Sequence, residues 1–341
     1  MANKFVSNKN LNDARRQKKG EFYTQLTDIE AELKFYKKLF KNKTVYCNCD
    51  DPRISQFFFY FASNFKHLGL KKLITTCYKN QDMNLFSKNK SEKAIFLEYY
   101  GNEKSKHTID QKKISVNYLE GDGDFRSEES IKLLKEADIV VTNPPFYLFG
   151  PYISQLFEYK KKFLIIGNLN AISMKEVSIL MRRNKLWLGA SIHSGDRWFE
   201  VPDDYPLDAA TTKVENGKKY LKVKGVRWFT NLDYKERHQS LTLYKKYYKN
   251  KKEYPEYDKY KAINVNFTKE IPKDYSGPMG VPISFMDKYN PDQFEIISCN
   301  EIKKDKKLKD KAHGLIKDKE SAIKGKPVYV RIVIKNKKIE K

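Results

Sequence analysis

Long apolar runs alternate with amphipathic segments along most of the chain. Two of these runs, ADIVVTNPP (137–145) and KKFLIIGN (161–168), are apolar throughout rather than at every second position. This pattern is typical of strands that are covered on both faces of a sheet. Six strands are predicted, at Thr44–Cys49, Leu73–Tyr78, Ile114–Leu119, Asp138–Thr142, Phe163–Gly167 and Leu186–Ile192.

The segments between these strands have the periodicity of amphipathic helices. A first helix is predicted near residue 28, where Thr27 and Glu30 fit a capping box. The other predicted helices are Ile54–Leu68, Ser127–Glu136, Gly150–Tyr159 and Ser173–Asn184. Ser127 is the expected N-cap of its helix, and Ser173 with Glu176 fits a second capping box. The alternation predicts an α/β fold with a doubly wound, mostly parallel sheet, which binds ligands at the carboxyl ends of its strands.

The pattern changes after residue 237. Residues 241–261 contain seven Lys and six Tyr, and a segment rich in Pro and Gly follows. Residues 301–341 contain 15 Lys plus Arg and 6 acidic residues, a net charge of +9. We therefore predict a first domain at residues 1–237 and a smaller basic region at residues 238–341.

The charge of the chain bears on its partner. A formal net charge of +24 over 341 residues predicts a polyanionic partner, with nucleic acid as the first candidate and an anionic membrane surface as the second. Only 10 of the 67 basic residues are Arg, and such Lys richness is also expected from an AT-rich genome. Charge alone does not establish that the protein binds nucleic acid, so further evidence has to come from a catalytic motif.

The remaining composition predicts a cytoplasmic protein without a metal site. No apolar run reaches the roughly 18 residues that span a bilayer, and the polar N-terminus lacks the apolar stretch of a secretory signal. The four cysteines are expected to be reduced thiols. Cys47 and Cys49 have no second Cys or His pair nearby in the sequence, so zinc is not expected.

The segment Asn143-Pro144-Pro145-Phe146 follows a predicted strand and carries the candidate chemistry. An amino nitrogen on an aromatic base is a poor nucleophile because its lone pair is delocalised into the ring. The Asn143 side-chain carbonyl and the Pro144 main-chain carbonyl can accept both amino hydrogens, which localises that lone pair for attack on a methyl donor. The prolines hold the turn rigid, and Phe146 offers a face for base stacking. Asn-Pro-Pro also ends strands without any catalytic role, so the motif alone leaves both interpretations open.

Further blocks accompany this motif between residue 21 and about residue 297. They are EFYTQ (21–25), VYCNCDDP (45–52), GLKKLI (69–74), GDGDFRS (121–127), DIVVTNPPF (138–146), KKFLIIGN (161–168), KLWLG (185–189), MGVPISF (279–285) and NPDQFE (290–295). With these blocks the chain resembles the EcoRI-type adenine-specific DNA methyltransferases of type II restriction-modification systems. The resemblance implies a class I methyltransferase domain that binds S-adenosyl-L-methionine, followed by a DNA target-recognition region.

The resemblance also implies the cofactor-binding positions. They are Phe22, Tyr23, Thr24, Gln25, Asp50 or Asp51, Asp124 and Phe125. Residues 22–25 match the block that borders the methionine end of the cofactor, although a helix cap would explain the same residues. Asp124 is expected to accept from the cofactor's adenine amino group and Phe125 to pack on its ring, with a plain Gly-Asp-Gly turn as the alternative. The chain departs from the family pattern because it lacks a glycine-rich loop after the first strand and an acid at the end of the second.

A base inside a duplex cannot reach the NPPF turn, so the target adenine must be flipped out. The candidate DNA-binding residues are Arg197, Arg227, Arg237, Lys245 and Lys246. Arg reads guanine edges through bidentate contacts, and Lys contacts phosphates. A phosphate contact or a structural role is the alternative for each of these Arg residues. For residues 241–261 the alternative is a solvated helix face without a role in binding.

The predicted function is site-specific methylation of the N6 amino group of adenine in double-stranded DNA. A cognate restriction endonuclease that acts separately is the expected second partner. Methylation of RNA adenine or of a protein glutamine remains an alternative, as does a non-catalytic DNA-binding protein. The basic C-terminal region disfavours a protein substrate, and the intact Asn143, Pro144 and Pro145 disfavour a non-catalytic protein.

Overall fold

The computed structural model describes residues 23–49, 51–78, 93–101, 115–193, 195–201, 210–297, 315–316 and 322–339. Two compact units make up the chain. The first comprises Met1–Asn168 and Ser194–Leu232, and the second comprises Leu169–His193 and Asp233–Lys341. The second segment of the second unit begins at Asp233, close to the predicted boundary, but this unit also includes Leu169–His193. A domain boundary at residue 237 stays a prediction. Among the helices of the described residues, none combines the length and apolar character that a bilayer crossing requires.

The described residues form short helices and many strands. The α-helices are α1 (Leu26–Leu33), α2 (Gln56–Ser63), α3 (Phe65–Leu68), α4 (Glu128–Glu136), α5 (Phe149–Glu158) and α6 (Lys175–Arg182). The strands are β1 (Thr44–Asn48), β2 (Lys72–Cys77), β3 (Ile95–Tyr99), β4 (Asn117–Tyr118), β5 (Ile139–Thr142), β6 (Lys162–Asn168), β7 (Trp187–Leu188), β8 (Asp196–Val201), β9 (Thr212–Glu215), β10 (Lys218–Lys224), β11 (Val226–Thr230), β12 (Ile263–Asn264), β13 (Met279–Pro282), β14 (Phe294–Ile296), β15 (Leu315–Ile316), β16 (Ala322–Ile323), β17 (Lys326–Pro327) and β18 (Arg331–Asn336).

Strands of the first unit form a sheet in the order β4-β3-β2-β1-β5-β6-β11. The four strands β2, β1, β5 and β6 are mutually parallel, whereas β3 and β11 run antiparallel to β2 and β6. All residues of β1 and β5 are buried, which explains their uninterrupted apolar sequences. The prediction of an α/β fold with a large, mostly parallel sheet is confirmed. The finer assignment to a doubly wound class I methyltransferase fold stays a prediction.

The predicted helix caps had mixed outcomes. Ser127 caps α4 as predicted, since its side chain accepts a hydrogen bond from the Ser130 N–H. The capping box at Thr27 is wrong: the chain enters α1 from an extended segment, so Gln25 is the N-cap and Thr27 lies inside the first turn. The capping box at Ser173 is also wrong, because a 3-10 turn continues through it and Met174 becomes the N-cap of α6.

Several strands differ from the sequence prediction. β1, β2, β5 and β6 match their predicted segments within one residue at each end. The segments Ile114–Leu119 and Leu186–Ile192 contain only the two-residue strands β4 and β7 among their described residues. β3 was not predicted, because its pattern, IFLEY, is short and follows a polar segment.

The first unit also contains a three-stranded sheet in the order β8-β10-β9. Asn216 and Gly217 connect β9 to β10 with φ angles of 51° and 73°, which suit a two-residue hairpin turn. One face buries Phe199, Val201, Leu221 and Val223. On the other face, the Lys213 Nζ lies 5.0 Å from the Trp198 ring centre and 5.3 Å from that of Tyr220. The frequent Lys residues on this face masked the strand pattern in the sequence.

The second unit contains α6, β7 and two further sheets. Strands β12-β13-β18-β14 form one sheet, with β15 also paired to β18, and β16 pairs with β17. Tyr257, Tyr260 and Val333 belong to one buried cluster of this unit. Residues 241–261 form turns, isolated β-bridges and a 3-10 turn at Lys251–Glu253 but no α-helix, so their interpretation as a helix face is wrong. Burial of tyrosines from this segment determines its path instead.

His238 lies between two carboxylates of the second unit. Its Nδ1 is 2.6 Å from an Asp292 oxygen, and its Nε2 is 3.0 Å from the Asp233 carboxylate. The hydrogen bonds to Asp292 and Asp233 raise the pKa of His238 above its ordinary value. Protonated His238 therefore stabilises the folded state below the unfolded pKa of about 6.5, and this contribution is lost as the pH rises through the folded-state pKa.

We expect His238→Gln to lower the melting temperature, relative to the unsubstituted protein, more at about pH 6 than at about pH 9. Thermal unfolding followed by circular dichroism at both pH values measures this difference. His67→Gln, at an exposed position of α3, is the matched control. An equal loss at both pH values would show that protonation of His238 does not contribute to stability.

Candidate active site

The NPPF turn lies at the carboxyl end of β5, as its position in the sequence predicts. Asn143 directly follows β5, and Pro144 is buried. The Pro145 carbonyl accepts a hydrogen bond of 2.9 Å from the Leu148 N–H, which begins a 3-10 turn at Phe146–Leu148. Helix α5 follows immediately, so the turn is fixed at both ends by regular structure.

Asn48, the last residue of β1, joins this turn to the neighbouring strand. Its main-chain carbonyl accepts a hydrogen bond from the Thr142 hydroxyl, and its side-chain oxygen accepts one from the Tyr152 hydroxyl. Asn48 is only 3% exposed. The sequence analysis missed Asn48, although an amide at the end of an apolar strand was an available signal. These contacts hold the ends of β1 and β5 and the start of α5 together.

The loop at residues 121–125 lies at the carboxyl end of β2. Gly123 has a φ of 78°, and a Cβ atom there would lie 2.9 Å from the Cys77 carbonyl oxygen, so only glycine allows this approach. Phe125 packs edge-on against the Tyr152 ring at a centroid distance of 5.1 Å. Its carbonyl accepts a hydrogen bond of 2.9 Å from the Gln155 side chain. The loop that carries Asp124 and Phe125 is thereby attached to α5.

Two predicted cofactor-binding carboxylates form the same Asp-x-Arg clamp. Asp51 accepts bonds from the Arg53 main-chain N–H, Nε and Nη2 at 2.9, 2.9 and 2.6 Å. Asp124 accepts the equivalent bonds from Arg126 at 2.8, 2.8 and 2.6 Å. The hydrogen bond from Arg126 lowers the pKa of Asp124. Each carboxylate therefore orients an arginine, a role that the sequence analysis did not predict.

The block before α1 lies against the sheet of β8 and the turn after β1. Main-chain hydrogen bonds of 3.0 and 3.2 Å join Tyr23 and Glu200. A cavity of about 520 Å³ opens here, lined by Tyr23, Thr24, Gln25, Leu26, Thr27, Arg53, Ile54, Gln56, Glu200, Lys218 and Tyr220. Thr24 is 5% exposed, and within the described part of the chain its Oγ1 has no hydrogen-bond partner.

The structure brings only some of the predicted cofactor-binding residues together. Tyr23, Thr24 and Gln25 lie together at the cavity, beside the arginine that Asp51 holds. Neither Asn143 nor Asp124 lines this cavity. Phe22 and Asp50 lie outside the described residues. A buried hydroxyl that faces a cavity is a position that a polar ligand can satisfy, so the residues at the cavity fit a polar part of a cofactor.

The three candidate DNA-binding arginines have intramolecular partners. Arg197 pairs with Asp28, with Nε 3.4 Å from the carboxylate. Burial raises the pKa of Asp28, and Arg197 opposes that rise. Arg227 is 4% exposed, and its Nη1 donates to the Val226 carbonyl at 2.8 Å. These contacts favour structural roles, and DNA contact by Arg197 and Arg227 stays a prediction.

Arg237 belongs to the second unit and is 6% exposed. Its guanidinium lies 3.9 Å from the Trp187 ring centre and pairs with Asp233 at 3.2 Å. Its Nη2 also donates to the Asn184 side chain. This set of partners explains the burial of a charged group as a structural arrangement. A DNA contact by Arg237 likewise stays a prediction.

Residues 244–269 present aromatic and basic side chains to solvent. Tyr244, Tyr248 and Phe267 are 79%, 60% and 60% exposed. The Lys245 Nζ lies 3.3 Å from the Glu253 carboxylate, and Lys246 is partly exposed. Exposed aromatic rings among lysines are typical of nucleic-acid surfaces, where rings stack and lysines meet phosphates.

Comparison with known proteins places the chain in a family. The profile of the family described as adenine-specific methyltransferase EcoRI matches residues 10–337. The chain is 48% identical to the type II methyltransferase M.EcoRI of Escherichia coli, over 98% of this chain and 99% of that protein. It is 38% identical to M.MgeORF184P of Mycoplasma genitalium, over 96% and 99% of the two chains. It is 37% identical to M.MpnI of Mycoplasma pneumoniae, over 96% and 98%. No solved structure gives a significant match.

The matched ranges extend over nearly the whole chain. The sequence prediction of an adenine-specific enzyme is confirmed at the level of the family. The chain belongs to the EcoRI family of adenine-specific type II DNA methyltransferases.

Proposed function

We propose that the chain transfers the methyl group of S-adenosylmethionine to the N6 amino group of an adenine flipped out of double-stranded DNA. The observation that carries the proposal is the position of the NPPF turn. It follows β5 at the carboxyl edge of the parallel strands, where Asn48 joins it to the end of β1. Ligands of open α/β sheets bind at this edge. A separate endonuclease of the same specificity completes the proposed restriction-modification system.

In this proposal, Asn143 and Pro144 activate the target amino group. The Asn143 side-chain oxygen and the Pro144 carbonyl oxygen each accept one N6 hydrogen, so the lone pair is withdrawn from the ring and directed toward the methyl donor. The fixed turn supplies these acceptors without reorganisation, because it is held by the Pro145–Leu148 hydrogen bond and by α5. The new N–C bond would form as the methyl–sulfur bond of the donor breaks, which would leave a neutral thioether, and one amino proton would then pass to solvent.

The cofactor supplies a methyl group on a positively charged sulfur. Tyr23, Thr24 and Gln25 are proposed to hold its methionine end, in line with their position at the cavity wall. Phe125 is proposed to pack on its adenine ring, and Asp124 to accept from its amino group while remaining clamped to Arg126. Asp51 is proposed to act through Arg53 rather than by direct contact.

Flipping the adenine costs a few kcal/mol, which protein contacts to the base and the DNA backbone must offset. Phe146, which is partly buried, is proposed to stack on the extruded base. Tyr147, the next residue, is 50% exposed and could serve the same purpose. Lys245 and Lys246, beside the exposed Tyr244 and Tyr248, are proposed to contact phosphates.

Replacing Asn143 tests the proposed chemistry. Because Asn143→Ala removes an acceptor used in the transition state, we expect methyl transfer to fall by at least about 10²- to 10³-fold with DNA affinity nearly unchanged. Transfer of radiolabelled methyl groups and a gel-shift titration measure the two quantities. Asn143→Asp, which keeps an oxygen acceptor, is the matched variant and should retain more activity than Asn143→Ala. Undiminished transfer by Asn143→Ala would remove Asn143 from the mechanism.

The choice of substrate is tested separately. The protein is incubated with radiolabelled cofactor and either duplex DNA, RNA of the same sequence or a mixed protein fraction. We expect label only in the DNA, at N6-methyladenine after enzymatic digestion. Label confined to RNA adenine or to protein glutamine would contradict the assignment to DNA.

The proposed phosphate contact of Lys246 predicts a change in salt dependence. Each phosphate contact contributes about one to the slope of log affinity against log salt concentration, so Lys246→Ala should reduce that slope by about 1 for specific and nonspecific DNA alike. Lys71→Ala in the first unit, at an exposed position, is the control. An unchanged slope would exclude a phosphate contact by Lys246.

A further inference from the structure

The four parallel strands of the first unit begin at the edge of the sheet opposite the NPPF turn. Thr44 at the start of β1 pairs with Lys72 at the start of β2, and Ile139 at the start of β5 pairs with Lys162 at the start of β6. With five residues in β1 and seven in β6, about 13–20 Å separates this amino edge from the carboxyl edge. A duplex whose adenine enters the NPPF turn therefore approaches the other edge.

The segments that lead into these strands are joined at the amino edge. The Asn42 N–H donates to the Gly69 carbonyl at 2.7 Å, and the Lys161 Nζ donates to the Ala137 carbonyl at 2.7 Å. Exposed lysines on the joined segments, hereafter the amino-edge lysines, are Lys37, Lys38, Lys41, Lys66, Lys160 and Lys162. Positive side chains from separate parts of the chain thus meet on one surface.

The carboxylates nearest to this surface already have partners. Asp138 pairs with Lys43. Glu98 and Glu136 both pair with Lys72. Within the part of the chain that the structure describes, no carboxylate forms an ion pair with an amino-edge lysine. The surface therefore carries positive charge that these carboxylates do not neutralise, and such a surface attracts a polyanion.

Lys160 occupies a position that favours glycine. It follows α5 with a φ of 54°, where the Lys160 and Lys161 N–H groups donate to the Phe157 and Leu156 carbonyls at 3.1 and 2.8 Å. The residue that follows α3 in the same left-handed region is Gly69, with a φ of 64°. This conformation disfavours residues with a Cβ atom. A lysine kept there at a cost in stability indicates a role for its charge outside the fold.

We propose that the amino-edge lysines bind the phosphates of a second segment of duplex DNA. Lysine binds phosphate as a point charge, which suits contacts that do not depend on base sequence. This binding goes beyond the proposed function, because methyl transfer at the NPPF turn requires only one duplex. The contacts proposed for Lys245 and Lys246 belong to that first duplex. A chain that holds two segments can pass from one stretch of DNA to another before it releases the first.

Two other roles for these lysines predict different results. Lysines near the C-terminal ends of helices stabilise those helices, so their loss would lower stability rather than DNA binding. An anionic membrane surface also attracts lysines, but stable attachment adds a buried apolar face or a lipid anchor. Leu39, which is 41% exposed, is a single apolar side chain beside Lys38 and supplies little of such a face. The surface therefore fits DNA better than a membrane.

The test counts duplexes on the full chain. A labelled duplex of about one helical turn, roughly 10 base pairs, is added in excess at low salt and followed by sedimentation velocity. We expect two duplexes per chain for the unsubstituted protein. In Lys41→Gln/Lys66→Gln/Lys160→Gly, fluorescence anisotropy should show the second step weakened by at least about tenfold, with its slope against log salt reduced by about 3 and the first step changed less than about twofold.

A charge-matched variant controls for net charge. Lys132→Gln/Lys213→Gln/Lys222→Gln removes three lysines elsewhere in the first unit and should keep the second step. Lys160→Gly alone separates binding from helix stabilisation. Since glycine accepts the left-handed conformation, this variant should melt at or above the temperature of the unsubstituted protein and still weaken the second step.

Several outcomes would overturn the proposal. Fewer than two duplexes per chain in the unsubstituted protein would exclude a second segment, and an unchanged second step in the triple variant would place that segment elsewhere. Equal weakening in the charge-matched variant would reduce the effect to net charge. Co-sedimentation with phosphatidylglycerol vesicles that only the triple variant loses, without a second duplex, would assign the lysines to lipid. Loss of methyl transfer alone would contradict the proposed function and leave the duplex count unaffected.

Discussion

The candidate active site depends on the hydrogen bonds that Asn48 makes at the end of β1. Its main chain binds Thr142 at the end of β5, and its side chain binds Tyr152 in α5. Asn143 directly follows Thr142, so these two bonds, together with the parallel pairing of β1 and β5, fix the position of the NPPF turn relative to β1. Tyr152 also packs against Phe125, which extends the same constraint to the loop at residues 121–125. Asn48 and Tyr152 thereby link four chain segments: β1, β5, α5 and the loop at residues 121–125.

Two arginines of the first unit are oriented by carboxylates that lie close to them in the sequence. Asp51 and Asp124 each bind the arginine two residues later, with nearly the same geometry. A side chain that is already oriented loses less conformational entropy when a ligand arrives. The sequence analysis assigned direct ligand contact to these acids because it considered each acid alone. The repeated Asp-x-Arg spacing was visible in the sequence and was the signal for the clamp.

Prediction from sequence succeeded where local pattern and burial agree. β1, β5 and β6 are covered on both faces, so their apolar runs are unambiguous, and Ser127 caps α4 through contacts within one turn. It failed where distant contacts decide the structure. The extended pairing of Tyr23 with Glu200 moves the start of α1. The contacts of the buried Arg237 with Trp187 and Asn184 likewise join residues about 50 positions apart, which spacing in the sequence does not reveal.

The second unit is not continuous in sequence, because it takes Leu169–His193 from the middle of the chain and Asp233–Lys341 from its end. Neither unit can therefore be expressed as an uninterrupted fragment with its native connections. A chimaera that exchanged the second unit between relatives would need two grafts, with residues 194–232 retained between them. Truncation after residue 232 would leave Leu169–His193 without the rest of its unit. Recombination by a single crossover, at any point between these segments, therefore divides at least one of the two units.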